Sequence, residues 1–202
     1  PRARAITKEQ LTMDKYMGAR MISEPFCLYD CDRYTDCSTV LILSAGDSLD
    51  EVKSTPVRVA GWAGSVERHS WDQAEWAASY KTGRDLWQST DYTVDDVDTV
   101  QLYDGVSGNA STWLEGLGFC EVGEGGRFVE GGERIALDGE LPLNTAGGQL
   151  GAGRMHGFGF APESVVQLRG KGGDRQSAGD PKVAIATAGG GPLATAMLFA
   201  RD

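Results

Sequence analysis

Asn144, Arg154 and His156 stand on the rim of the most glycine-dense stretch of the chain. This is Leu143 to Gly170, LNTAGGQLGAGRMHGFGFAPESVVQLRG, with glycines at 147, 148, 151, 153, 157 and 159. Glycines this dense admit positive backbone dihedrals and let the main chain approach a ligand closely. Pro162 and Glu163 suit the first turn of a helix that Gly170 ends. A glycine loop running into a helix either binds an anion through its amides or is a tight structural turn. Histidine is the side chain best suited to proton transfer near neutral pH, so His156 is a proton-transfer group or a structural loop residue. Arg154 pairs with a carboxylate or a phosphate, or forms a surface ion pair.

Two further stretches carry chemistry. Tyr103 and Asp104 end the predicted strand VDTVQLYD. A phenol there donates to a developing oxyanion or acts as a general base; otherwise its ring lies in the core with the hydroxyl satisfied locally. Asp104 orients a neighbouring donor or caps the helix that follows. Near the end, Thr187-Ala188-Gly189-Gly190-Gly191 interrupts two apolar runs in VAIATAGGGPLATAMLFARD.

Taken together, these stretches resemble the C-terminal half of a thiolase. In that superfamily an Asn-x-x-Gly-Gly segment leads to a Gly-His-Pro motif, and a Cys-x-Gly-Gly-Gly motif sits near the C-terminus. Asn144, Gly147, Gly148, Gly153, Gly189, Gly190 and Gly191 match. Arg154-Met155 stand where His-Pro would be, and Thr187 stands where the second cysteine would be. Tyr103, in LYDGVS, occupies the position at which sterol-carrier-type thiolases have His-Asp-Cys-Phe, facing the acyl group. LYDG, NTAGGQLGAGRMHGFG and VQLRG narrow the resemblance to the thiolase-like lipid-transfer-protein group of actinobacterial type, which includes steroid side-chain aldolases.

The resemblance implies a carbon–carbon lyase that cleaves a β-hydroxyacyl-CoA, a steroid side-chain thioester, by retro-aldol reaction to a ketone and a short acyl-CoA. Thiolysis needs a cysteine to carry the acyl group, whereas a retro-aldol cleavage needs only a base, an oxyanion site and an acid. Tyr103 would then be the base or proton relay, and His156 would stabilise or protonate the enolate. The Gly189, Gly190 and Gly191 amides would donate to the oxyanion, with Asn144 on the loop and Asp104 and Arg154 in support. Also implied are a cytoplasmic homodimer, a partner protein of OB-fold and zinc-ribbon type, no metal, and no cofactor beyond the CoA of the substrate. Two other readings stay open. One is a non-catalytic thiolase-fold protein that binds acyl-CoA or lipid. The other is an acetyl-CoA acyltransferase whose nucleophile lies in an N-terminal half outside this sequence.

The elements that must position these residues follow from periodicity. Residues 1–50 are expected to be the tail of the N-terminal thiolase half. Thr12 would cap a linking helix with Met13, Tyr16, Met17 and Met21 at helical spacing, interrupted by Pro25, and 38–44 (STVLILS) would be a strand buried on both faces. Residues 51–202 would be the C-terminal half: strand 57–66, a helix over 72–86 weakened by Gly83, and strand 97–104. Asp95, Asp96 and Asp98 read as a solvated turn rather than a metal site. In 105–118, Ala110, Trp113, Leu114 and Leu117 form an apolar stripe, Ser107 is the cap and Gly118 closes the helix. Residues 121–140 read as a surface excursion, followed by the glycine loop, a helix over 161–169 and a closing strand pair. This alternation predicts an α/β layered, thiolase-like fold with a mixed sheet flanked by helices.

Composition sets the outer bounds. A chain of 202 residues with 41% hydrophobic and 24% charged residues can build one domain with a sizeable core. A formal net charge of −10 argues against nucleic acid or an acidic membrane surface as partner. No apolar run approaches the roughly 20 residues that span a bilayer, and no stretch has the pattern of a signal peptide. Cys27, Cys31, Cys37 and Cys120 form no CxxC pair, and His69 and His156 are distant from them in sequence. The expectation is therefore free thiols in a reducing compartment and no zinc site.

Overall fold

The computed structural model describes residues 5–6, 8–46, 53–67 and 78–201. Helix α1 (Met13–Met17) leads to a small antiparallel pair, β1 (Met21–Ser23) and β2 (Phe26–Cys27). The main sheet comprises β3 (Arg58–Val66), β4 (Thr99–Gln101), β5 (Val183–Gly189) and β6 (Leu193–Ala200). Its order is β3-β6-β5-β4, and it is mixed: β4 runs parallel to β5 while the other neighbours are antiparallel. The helices are α2 (Ala78–Gln88), α3 (Ser107–Gly116), α4 (Gly125–Phe128), α5 (Gly148–Ala152) and α6 (Phe160–Leu168).

Strand periodicity sorts the side chains into two layers. Val183 and Ile185 of β5, with Ala194, Ala196 and Leu198 of β6, join Leu86, Trp113, Leu114 and Leu117 in one cluster. Ala184, Ala186 and Phe199 point the other way, against Phe160 and Leu168 of α6. Apolar side chains on both faces make β5 read as a continuous apolar run. Each fully buried Leu or Trp contributes about 1.5–3 kcal/mol, so the sheet–α3 layer is the main source of cohesion.

Gly83 weakens α2 locally but permits its packing. A Cβ on Gly83 would stand 2.6 Å from the Gly116 carbonyl carbon, and one on Gly116 would stand 3.0 Å from the Ser79 carbonyl carbon. The two helices thus cross backbone to backbone. Residues 72–77 of the expected helix, and His69, lie outside the described residues.

The structure departs from expectation at several points. Thr12 does cap α1, accepting the Lys15 N–H at 3.3 Å, but the helix stops at Met17 and Met21 enters β1. Met13 and Met17 are 73% and 74% exposed, so no apolar burial supports a longer helix, and the tertiary tie of α1 is the Tyr16 hydroxyl donating to Asp30 at 2.8 Å. Residues 38–44 form no strand, and Val40 and Ile42 are 83% and 93% exposed rather than buried. A strand needs a neighbour for its backbone groups, and no described strand lies beside this run. Ser107 is the first helical residue rather than the cap; Asn109 Oδ1 accepts the Val106 N–H at 3.2 Å, and Ser107 Oγ donates to Asp30 at 2.7 Å. The 121–140 segment contributes Phe128 to the core, so it is only partly a surface excursion. Asp96 accepts from Thr93, and Asp98 accepts the Lys182 and Val183 N–H groups, which ties the approach to β4 onto β5. Among the described residues, no helix is long and apolar enough to cross a membrane.

Candidate functional site

Beyond the end of β4, Leu102-Tyr103-Asp104 crosses the end of β5, and two side chains hold it there with three hydrogen bonds. The Leu102 N–H donates to Asn144 Oδ1 at 2.8 Å while Asn144 Nδ2 donates to the Leu102 carbonyl at 3.0 Å. One carboxamide therefore imitates a strand neighbour. Asn144 adopts φ +50°, a left-handed conformation that Asn tolerates better than most residues. The Tyr103 N–H donates to Thr187 Oγ1 at 2.8 Å. Thr187, at the position of the second thiolase cysteine, is thus a buried anchor for the Tyr103 backbone.

The glycine loop brings His156 to the same place. The Tyr103 hydroxyl lies 3.5 Å from His156 Nδ1, at the outer limit of a hydrogen bond. Catalytic hydrogen bonds are often this long until substrate binds. His156 has φ +49° and Gly157 φ +87°. A Cβ on Gly157 would stand 2.9 Å from the Thr187 carbonyl oxygen, so the loop rests directly on β5. Burial pushes the Tyr103 phenol up, the Gln149 side-chain amide draws it back, Asp32 and Asp104 raise it, and Arg154 lowers it.

Asp104 is 4% exposed and faces the start of α5. Its carboxylate accepts the Gln149 N–H at 2.8 Å and the Leu150 N–H at 3.4 Å. Burial nonetheless pushes its carboxyl up to about 6, because the lost hydration outweighs the two backbone donors. Asp104 therefore positions the glycine loop and does not cap α3. Helix α5 itself was not foreseen; it lies between Gly147 at φ +101° and Gly153 at φ +99°.

Arg154 faces away from the Tyr103–His156 pair in its bonding. Its Nε donates to Asp32 Oδ1 at 2.7 Å, its Nη2 reaches the same oxygen, and its guanidinium covers the Tyr34 ring at 4.9 Å. The Asp32 side chain is fully buried. The Arg154 N–H also donates to the Arg33 carbonyl at 2.7 Å. These contacts fasten the polar 31–35 segment to the site. Nothing in that segment's sequence marked Asp32 or Tyr34, because an ion pair across 122 residues leaves no local pattern.

The glycine triplet turns β5 into β6. Trp113 Nε1 donates to the Gly189 carbonyl at 2.8 Å, and the Gly190 N–H donates to the Leu193 carbonyl at 2.9 Å. The Gly190 amide is therefore engaged in the hairpin and is not an oxyanion donor in this conformation. The Gly191 carbonyl accepts the Ala78 N–H at 3.0 Å. Cys31, bridged to Val106 beside the site, has its thiol pushed up by burial and by Asp30 and Asp32, the opposite of an activated nucleophile.

A mixed sheet between helical layers, with a glycine loop laid across one strand end against a tyrosine–histidine pair, defines the C-terminal half of a thiolase-like α/β protein. Residues 65–199 match the family described as thiolase C-terminal domain-like, and the chain belongs to that family. It is 33% identical to a 17-hydroxy-3-oxo-4-pregnene-20-carboxyl-CoA lyase of Mycobacterium tuberculosis, over 79% of this chain and 43% of the relative. It is 34% identical to an acetyl-CoA acetyltransferase of Methanothermobacter thermautotrophicus, over 89% of this chain and 48% of the relative. The solved structure of an Ltp2-ChsH2(DUF35) aldolase superposes with a TM-score of 0.82 at 26% identity, covering 95% of this chain and 52% of that one. The chain spans about half the length of the curated relatives it matches.

Proposed function

We propose that this chain forms half of the active site of a thiolase-like retro-aldolase that cleaves a β-hydroxyacyl-CoA to a ketone and a shorter acyl-CoA. The observation that carries it is the Tyr103 hydroxyl facing His156 Nδ1 at 3.5 Å, where a thiolase would use thiol chemistry. A phenol raised by burial stays protonated near neutral pH, which favours a relay over a free phenolate base. In the relay, Tyr103 Oη takes the proton of the substrate's β-hydroxyl while passing its own to His156 Nδ1. The Cα–Cβ bond breaks, its electron pair forms the thioester enolate, and the β-carbon becomes the ketone. The proton on His156 then returns through Tyr103 to Cα, so protons and electrons balance.

The names of the lyase and aldolase relatives support a steroid side-chain thioester as substrate and a DUF35-type partner, which this reading takes to be the OB-fold and zinc-ribbon protein that the family resemblance implies. Four free cysteines suit the reducing cytoplasm that this reading assigns, and the homodimer is part of the same proposal. The test supplies the full-length gene product and its partner with a CoA thioester bearing a tertiary β-hydroxyl. Ketone and shortened acyl-CoA should appear, and thiol alkylation should leave the rate intact. The acetyltransferase relative favours a second reading, an acyltransferase, and a trapped acyl-enzyme would establish it in place of the first. Tight binding with no products would point to a lipid carrier.

A further inference from the structure

Gln149 is 2% exposed, yet only one end of its carboxamide has a partner. Oε1 accepts the Met155 N–H at 3.0 Å, while Nε2 is buried with no hydrogen-bond partner. An unpaired buried donor is costly, and such an orphan in a native fold calls for an explanation. The position of this residue is tightly determined. Its own N–H donates to Asp104 at 2.8 Å, beside Tyr103, and its Oε1 holds the residue before His156. Gln149 therefore bridges the strand end that carries Tyr103 and the loop that carries His156. The Gln149 side chain also acts on the Tyr103 phenol, lowering it against the effect of burial.

We propose that Gln149 is a positioning residue for Tyr103, its Nε2 donating to Tyr103 Oη as the phenol gives up its proton to His156. That role presumes the Tyr103 relay proposed above. A donor aimed at an oxygen that gains charge is worth roughly twice one aimed at a neutral oxygen, which suits an amide left unpaired in the resting state. The other groups facing the phenol are Asp32, Asp104, Arg154 and His156. Asp32 and Arg154 bind each other and act on Tyr103 in opposite directions. Asp104 raises the phenol, and Gln149 is the uncharged donor acting against it.

Two variants separate this role from simple support of the loop. Gln149→Glu keeps an oxygen for the Met155 N–H and removes the donors; Gln149→Met removes both without adding charge. The Tyr103 phenol is titrated by ultraviolet difference spectroscopy in each, against the same protein carrying Tyr103→Phe. Its midpoint should rise in both variants. An unchanged midpoint in Gln149→Met, or in Gln149→Glu should the Met variant misfold, would overturn the proposal and leave Gln149 as a loop brace. Failure of the relay itself would appear separately, as wild-type turnover in Tyr103→Phe with the Gln149-dependent midpoint intact.

Discussion

Gly148 packs so tightly on Asp104 that a Cβ placed on it would stand 2.7 Å from the carboxyl carbon. The same Cβ would come 2.9 Å from Asn144 Nδ2, and Gly148 itself has φ +63°. Helix α5 can begin here only if this residue has no side chain. The carboxylate that receives the next two N–H groups is thereby brought against the backbone. Gly148→Ala should destabilise the protein by about 1–3 kcal/mol through overpacking, with backbone strain in addition. Urea unfolding measures this, and a wild-type midpoint would mean that the loop has slack the structure does not display.

Asp104 should make stability depend on pH. Its folded carboxyl sits at about 6, against an ordinary value of 3.8, so the folded state holds a proton that the unfolded state releases. The contribution is fully present below about pH 4 and is lost as pH rises through about 6, amounting to about 3 kcal/mol. Thermal melts of Asp104→Asn should lack this pH-dependent component, so the difference from wild type should change sharply between pH 4 and 6. Parallel pH profiles for the two proteins would show that Asp104 is not the titrating group.

Tyr103→Phe keeps the ring and removes one hydroxyl whose bond is 3.5 Å long. Stability should change by less than about 0.5 kcal/mol, whereas turnover of a β-hydroxyacyl-CoA should fall by about 10²–10⁴-fold. His156→Ala, at an exposed position, should also lower turnover without lowering the melting temperature. Steady-state rates paired with melts on the same preparations separate the two effects.

Gly83→Ala sets two magnitudes against each other. Helix propensity favours Ala by about 1 kcal/mol. The new Cβ, however, would lie 2.6 Å from the Gly116 carbonyl carbon, a backbone atom that moves only if α3 shifts. Overpacking of this kind costs about 1–3 kcal/mol or more, so the variant should be net destabilised. A rise in the chemical-denaturation midpoint would mean that α2 and α3 separate easily.

Local sequence determined the elements whose preferences are complete within a few residues. The 57–66 run placed β3 close to its observed limits, the two apolar runs around the glycine triplet marked the β5–β6 pair, and the apolar stripe of Trp113, Leu114 and Leu117 placed α3. Glycine spacing marked the 147–157 loop, where Gly147, Gly148, Gly153 and Gly157 all have positive φ. Motif resemblance singled out Tyr103 and His156, which the fold brings together from 53 residues apart. What tertiary structure alone decided is the partner of each polar side chain. Thr187 supports the Tyr103 backbone, Asp32 binds Arg154, and Gln149 spans Asp104 and Met155. It also decided that Gly83 is a helix crossing and that 38–44, for all its strand composition, has no described neighbour. The reason is one of range. Backbone propensity is fixed by near neighbours, whereas the other end of a hydrogen bond or ion pair depends on where crossovers return the chain, and no short window of sequence encodes that.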